Sequence, residues 1–257
     1  MHIGGFIDIS TNDISNIPSM IIFTVGCNLN CEFCHNKYLH NLSVGQYMEI
    51  DEIINVVKSN QLVNGISITG GEPTLQTDLL ELCNAIKSIG KYVSVDSNGT
   101  NPQVIKELVN QVNRIALDIK APLKKERYQK ICNQKIHPEH IKKSFHLIND
   151  SEIDFEVRTT YVEGLLNSSD IHKIVSFLKK AKFRGNFVLQ QYQYSDGVVE
   201  EYKETFHKPE HGTLLEILRK YKDSKLSFKI FLRDDIIGYK RINNLYDLSL
   251  DDVLKSF

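Results

Sequence analysis

Apolar and polar positions follow two periods along this chain, and the period switches repeatedly. Residues 19–25 form a short apolar run, the pattern of a buried strand. Residues 48–58 carry Ile50, Ile53, Ile54 and Val57 at helical spacing. Residues 65–69 read as a strand that runs into Gly70 and Gly71. Residues 77–89 follow as a helix with Leu79, Leu82, Cys83 and Ile86 on one face. A strand at 92–96 ends in Asn98-Gly99, and a helix at 102–109 has proline at an early position. A strand at 114–120 is closed by Pro122, and residues 138–148 read as a helix. Residues 153–160 alternate strictly, with Ile153, Phe155, Val157 and Thr159 on one side. A helix at 169–180 and a strand at 186–193 complete the series.

Strands separated by helices of this length imply parallel pairing with right-handed crossovers. About six such units predict an α/β fold, a (β/α)6 barrel or partial (β/α)6 barrel of the TIM type rather than a flat sheet. On the less apolar strand faces lie Asp96, then Asp118 with Lys120, then Glu156 with Arg158 and Thr160. α/β folds place their sites at these C-terminal strand ends. The plain alternative is that these charges are solvated strand ends. Residues 205–257 break the pattern. They read as a loop at 207–212, a helix at 213–221, a strand at 226–232 and a short amphipathic helix at 249–257. The expected division is therefore a barrel domain over 1–204 and a C-terminal extension over 205–257, packed on or beside it.

The chain has 257 residues, 41% hydrophobic and 25% charged, with a net charge of −1. That suits one large soluble domain. It gives no bulk electrostatic case for nucleic acid or an anionic membrane. A short basic stretch at 120–125 is one local exception. No apolar run nears the roughly 20 residues of a membrane helix. The first residues lack the features of a secretory signal. The expected compartment is the cytoplasm. Of five cysteines, three lie within eight residues, which in a reducing compartment favours metal over disulfides.

Those three are Cys27, Cys31 and Cys34, in the spacing C-x3-C-x2-C. Three thiolates from one loop suit three corners of a cubane iron–sulfur cluster. The fourth iron then lacks a protein ligand, as the open position of a catalytic metal does. Two rivals stand beside this reading. One is a Cys3His zinc site completed by His35, although adjacent Cys34 and His35 are poorly spaced for one ion. The other is a c-type haem attachment through Cys31, Cys34 and His35, which belongs outside the cytoplasm. Cys83 reads as a small buried hydrophobe and Cys132 as isolated, so no second cluster is expected.

The second signal is Thr69-Gly70-Gly71-Glu72-Pro73-Thr74 at a strand end. Two glycines permit close backbone approach, Glu72 offers an acceptor for an ammonium group, and Pro73 fixes the turn. Together with the cysteine loop one helix earlier, this segment resembles the radical S-adenosylmethionine (SAM) superfamily. The resemblance implies a [4Fe–4S] cluster on Cys27, Cys31 and Cys34 that binds the amino and carboxylate groups of SAM. It implies that Gly70, Gly71 and Glu72 receive the amino group. Phe33 matches an aromatic position whose backbone approaches the adenine.

The finer resemblance is to activating enzymes of glycyl-radical proteins, and among these to the activators of anaerobic ribonucleoside-triphosphate reductase. It covers roughly residues 3–193. Its pieces include Gly4-Gly5-Phe6, Cys34-His35-Asn36, Asp96-Ser97-Asn98-Gly99-Thr100, Leu117-Asp118-Ile119-Lys120 and Glu156-Val157-Arg158-Thr159-Thr160, in family order. It implies that Asp96, Ser97 and Asp118 surround the cofactor carboxylate, where related activators can hold a monovalent cation. Two acidic residues beside a carboxylate repel unless such a cation or Lys120 offsets them. Lys120 and Arg158 match positive positions near the cofactor, and Gln193 lies near an adenine contact. The implied partners are an anaerobic ribonucleotide reductase as protein substrate and flavodoxin or ferredoxin as reductant. A second reading keeps the radical but takes a small molecule, as the 7-carboxy-7-deazaguanine synthases do. A third, without enzymatic activity, is a zinc-stabilised binding module.

Overall fold

The computed structural model describes residues 1–194 and 205–245. Its core is one ten-stranded sheet that curls without closing, in the order β10-β9-β8-β7-β6-β5-β4-β2-β1-β3. The strands are β1 (His2–Ser10), β2 (Ser19–Thr24), β3 (Gln46–Tyr47), β4 (Gly65–Gly70) and β5 (Tyr92–Ser97). They continue as β6 (Arg114–Asp118), β7 (Asp154–Tyr161), β8 (Asn186–Gln191), β9 (Lys229–Asp234) and β10 (Gly238–Arg241). From β2 through β4 to β9 every neighbour pairs in parallel. The six strands β2 and β4 to β8 are the expected partial barrel, and β9 adds to the same sheet in parallel beside β8.

Two strands escape the sequence pattern. β1 runs antiparallel to β2 and breaks register after Ile3 and after Ile7. Its Gly4-Gly5 and exposed Ile7 and Ile9 hide any alternation. β10 is a four-residue antiparallel edge, too short to announce itself.

Helices cover the outside of the sheet: α1 (Ile50–Ser59), α2 (Leu79–Ser88), α3 (Pro102–Leu108), α4 (Lys125–Cys132), α5 (Pro138–Asn149), α6 (Ser168–Lys180) and α7 (His211–Arg219). The capping signals are local. Glu49 and Glu52 form a reciprocal box at the start of α1, and Asn167 with Asp170 does the same for α6. Ile53, Ile54 and Val57 of α1 are buried, as are Leu82, Cys83 and Ile86 of α2. Cys83 is the buried hydrophobe its helix face predicts. α4 was not anticipated, because its polar sequence carries only Tyr128, Ile131 and Cys132 as buried residues. The final helix expected at 249–257 lies outside the described residues. Among the described residues, no helix is long and apolar enough to cross a membrane.

The barrel interior is charged rather than oily. Register places Ser94 beside Arg114, Ala116 beside Glu156, and Asp118 beside Arg158. Arg114 donates to Glu156 at 2.7 Å and to Ser94 Oγ at 2.6 Å. Arg158 meets Asp96 at 2.8 Å and Asp118 at 3.3 Å. Tyr239 OH donates to Glu156 at 3.1 Å, tying β10 to the barrel interior. Asp96, Arg114, Glu156 and Arg158 are all at least 92% buried. They are therefore not solvated strand ends, and each charge must be paired to persist there.

Candidate active site

The loop after β2 begins at Gly26 and carries the cysteines. Cys31 is buried, while Cys27 and Cys34 are half-buried. The loop is fixed at several points. Gly26 N donates to Leu39 O at 2.8 Å, Cys34 N to Cys31 O at 3.3 Å, and Asn30 N to Cys132 O at 3.1 Å. Asn28 reaches across to the β5 end, donating to Thr100 Oγ1 at 2.7 Å and accepting from Asn98 at 3.0 Å.

The Gly-Gly loop at the end of β4 packs directly on this segment. Gly71 N donates to Thr24 O and Glu72 N to Gly26 O, each at 2.8 Å. Gly70 has φ +115°, and a Cβ there would sit 2.4 Å from Thr24 N. A Cβ on Gly71 would sit 2.0 Å from Gly26 O. Only residues without Cβ allow this approach. The two signature segments are thus one backbone unit.

Between them opens a cleft of about 150 Å³. Cys27, Cys31 and Cys34 line it together with Phe33, Gly70, Gly71, Asp96, Ser97, Asp118 and Lys120. All sit at C-terminal strand ends or in the loops that follow, where parallel α/β sheets gather their chemistry. Asn36, His40, Asn98 and Thr160 also line the cleft without a cofactor role in the sequence reading, and so does His35, which enters that reading only as a rival zinc or haem residue. For Asn98 and Thr160 the signal was present, since each sits at or just beyond the end of a parallel strand. His40 comes from a 3-10 turn at Lys37–His40, where no periodicity marks it.

Three expected contacts lie elsewhere. Glu72 does not line the cleft. Its carboxylate turns under the loop and accepts from Thr74 N, Thr74 Oγ1 and Ser97 Oγ on one oxygen and from Asn98 N on the other. Burial pushes the Glu72 carboxyl up, against the pull of those donors. It clamps β4 to β5 instead of offering a vacant acceptor. Arg158 lies beneath the cleft, held by Asp96 and Asp118. Gln193 lies in an adjoining cleft with Arg233 and Asp235, and its carbonyl meets His35 Nε2 at 2.7 Å. Cys132, expected to be isolated, is also corrected: its carbonyl accepts from Asn30 N, which docks it on the cysteine loop. The helix that delivers it carries no pattern linking it to the cysteine loop.

The electrostatics suit an anionic, metal-bearing site. Burial pushes the Cys27 thiol up to about 11 and raises Cys34 as well. The neighbouring Cys132 thiol brings Cys31 down to about 7. Burial opposes the charge on Lys120, but Asp118 at 3.1 Å outweighs it and raises its pKa. Lys120 and Arg158 thus offset the two acidic residues, as one of the two expected solutions requires. Asp96 Oδ1 is buried without a hydrogen-bond partner. Three thiols gathered around one cleft beside Asp96, Asp118 and Lys120 are a donor set that fits a bound metal group and a polar ligand. His35 stacks on Tyr192 and is committed to Gln193, so it does not complete a Cys3His set. Among the described residues, no three His, Cys, Asp or Glu side chains converge closely enough for a single metal ion. Thiolates on separate irons of a cluster stand farther apart.

Comparison with known proteins agrees with this geometry. Residues 21–178 match the family described as the Radical SAM superfamily. A protein of Methanocaldococcus jannaschii named "Putative glycyl-radical enzyme activating enzyme" is 32% identical over 233 residues, covering 86% of this chain and 93% of its own. A 7-carboxy-7-deazaguanine synthase of Halobacterium salinarum is 33% identical, but over only 34% of each chain. Among solved structures, Streptococcus suis SuiB bound to S-adenosylmethionine superposes with a TM-score of 0.61 at 18% identity. That match covers 79% of this chain and 48% of SuiB, so this chain spans about half of that protein and shares its fold.

Proposed function

The chain belongs to the radical SAM superfamily, and from that premise we propose that it is an activase that places a glycyl radical on a partner protein, an anaerobic ribonucleoside-triphosphate reductase. Membership implies a [4Fe–4S] cluster and S-adenosylmethionine as cofactors. Cys27, Cys31 and Cys34 would hold three irons and leave the fourth without a protein ligand, in a cleft that Gly70 and Gly71 also line. Such a cluster supplies one electron that splits a carbon–sulfur bond of SAM, and the resulting 5′-deoxyadenosyl radical takes a hydrogen atom from the substrate.

The chain's own residues bind and orient. The backbones of Gly70 and Gly71 sit against the cysteine loop and would receive the cofactor's amino group. Asp96 and Ser97 line the same space. Lys120 would meet the cofactor carboxylate while still paired with Asp118. With Lys120 and Arg158 supplying positive charge, this reading does not require a monovalent cation. Phe33 would set its backbone against the adenine. Glu72 and Arg158 act as positioning residues, one fixing the loop and the other the two acids.

The observation that carries the activase reading is coverage. The relative named as an activating enzyme aligns over nearly the whole of both chains, whereas the deazaguanine synthase aligns over a third. The unclosed sheet supports it too, because a loop of another protein must reach the cleft. Glycine suits hydrogen abstraction, since both flanking amides stabilise its radical. Reduced flavodoxin or ferredoxin is the proposed electron donor and the cytoplasm the proposed compartment. Residues 205–257 are proposed to pack beside the barrel, a reading supported by β9 in the sheet. The test mixes the reconstituted protein, SAM, reductant and the reductase from the same source. A glycyl-radical signal in electron paramagnetic resonance is expected. Its absence, with 5′-deoxyadenosine still formed on a deazaguanine precursor, would transfer the assignment to the small-molecule reading.

A further inference from the structure

Arg233 lies near the end of β9 with nothing to balance its charge. Among the described residues its side chain makes no ion pair and no hydrogen bond. The acids that follow it in sequence are taken: Asp234 Oδ2 lies 2.6 Å from His211 Nδ1, and Asp235 pairs with Lys208. Burial pushes the Arg233 pKa down and the Arg158 guanidinium adds to this, against the pull of Asp13, Glu156 and Asp96. Register sets where the side chain points. Arg233 is paired with Gln190 of β8 on one side and with Tyr239 of β10 on the other. Tyr239 reaches Glu156 in the barrel interior, while Leu189 and Leu232, on the alternate face, are fully buried in the core. Arg233 and Gln190 therefore point inward, and both line a cleft of about 420 Å³. His35 lines this cleft and the cofactor cleft alike, so the two adjoin. Gln190 is also paired with Thr160, which lines the cofactor cleft, and its amide makes no hydrogen bond among the described residues.

We propose that Arg233 and Gln190 form a carboxylate subsite for the substrate, which takes an acidic side chain beside the target glycine on the partner's loop. The inference rests on the activase reading and names the chemistry that loop should carry. A half-buried guanidinium without a counter-ion favours an anion, and its planar fork matches the two oxygens of a carboxylate. The Gln190 amide, one strand away in register, can donate to the same group. Because this cleft borders the cofactor cleft, an acid held there would bring neighbouring loop residues toward the space where the radical would form. The subsite thus selects and orients the substrate and takes no part in binding SAM.

The test compares the reconstituted wild-type protein with Arg233→Gln, Arg233→Lys and Lys229→Gln. Lys229→Gln removes the same charge from the other end of β9, where the side chain lines a separate cavity with Arg184. The reductase from the same source is the probe. Its KM in glycyl-radical formation and its Kd without reductant are measured beside the Kd for SAM. In Arg233→Gln both reductase constants should rise roughly 10- to 100-fold, the range for losing one charge-assisted contact. SAM affinity and Tm should hold, since no internal partner is stranded. Arg233→Lys should recover part of the loss, and Lys229→Gln should match the wild type. On the partner, each acidic residue flanking the target glycine is replaced by its amide. One of these should weaken binding to the wild type as much as Arg233→Gln does and add nothing further in Arg233→Gln. Unchanged reductase constants in Arg233→Gln overturn the proposal, as does an equal loss in Lys229→Gln, which would make the effect one of bulk charge. Weakened SAM binding or a lowered Tm in Arg233→Gln would make the residue a cofactor contact or a structural prop, and also contradicts it. Partner substitutions that all add to Arg233→Gln overturn it too. Failure of the activase reading looks different: the wild type itself would then give no glycyl signal, and the loop ligand proposed for this subsite would fall with it.

Discussion

Replacing Gly71 with alanine tests the backbone contact between the two signature loops. The new methyl would lie 2.0 Å from the Gly26 carbonyl oxygen and 2.6 Å from its carbon. Non-bonded carbon atoms settle near about 3.5–4.0 Å, so the loops must part by roughly 1 Å. The obstacle is backbone and cannot rotate aside. Parting the loops also stretches the 2.8 Å bond from Glu72 N to Gly26 O. Overpacking costs about 1–3 kcal/mol and the lost hydrogen bond about 1 more, so about 2–4 kcal/mol together. At about 2–4 °C per kcal/mol for a chain of this size, Tm should fall by roughly 4–16 °C. Gly212→Ala is the control. It lies in α7 with nothing within 4 Å of its Cβ position, and should change stability by less than about 1 kcal/mol, in the stabilising direction. Circular dichroism melting of the cluster-free chains gives the first readout. SAM affinity of the reconstituted proteins gives the second and should drop at least about tenfold, which corresponds to about 1.4 kcal/mol. A Gly71→Ala protein that melts with the control and binds SAM normally would refute the packing argument.

Cys27→Ala, Cys31→Ala and Cys34→Ala should each lose cluster iron and the brown colour on reconstitution, while Cys83→Ala keeps both; a full cluster in any of the first three would remove that residue from the ligand set. Arg158→Met should destabilise the fold by about 3–5 kcal/mol in urea melts, because buried Asp96 and Glu156 lose a cation, and an unchanged midpoint would contradict the buried network. Glu72→Gln should lower stability by about 1–3 kcal/mol, since an amide nitrogen meets a donor where a carboxylate oxygen stood. A raised KM for SAM at unchanged stability would instead return Glu72 to direct cofactor contact.

The parallel strands and most helices were legible because each carries one period, as in the Ile50, Ile53, Ile54 and Val57 face of α1. Asp96, Asp118 and Arg158 could be placed on one barrel face from alternation alone. Their mutual pairing could not, because it depends on register between strands, which fixes Asp118 opposite Arg158. The internal partners of Glu72 are hidden in the sequence for a related reason. Its motif shows an acceptor but not the Ser97, Asn98 and Thr74 donors that fill it. Cys132 is not legible because helix docking, not sequence spacing, brings it against Asn30 of the cysteine loop. β1 was missed because two glycines and two register breaks erase its pattern.

The most direct measurement is the electron paramagnetic resonance spectrum of the reduced, reconstituted protein before and after SAM is added. If Cys27, Cys31 and Cys34 hold the cluster and leave one iron without a protein ligand, the spectrum should change, because the methionyl amine and carboxylate would bind there. An intact cluster whose spectrum is the same with and without saturating SAM would contradict the account.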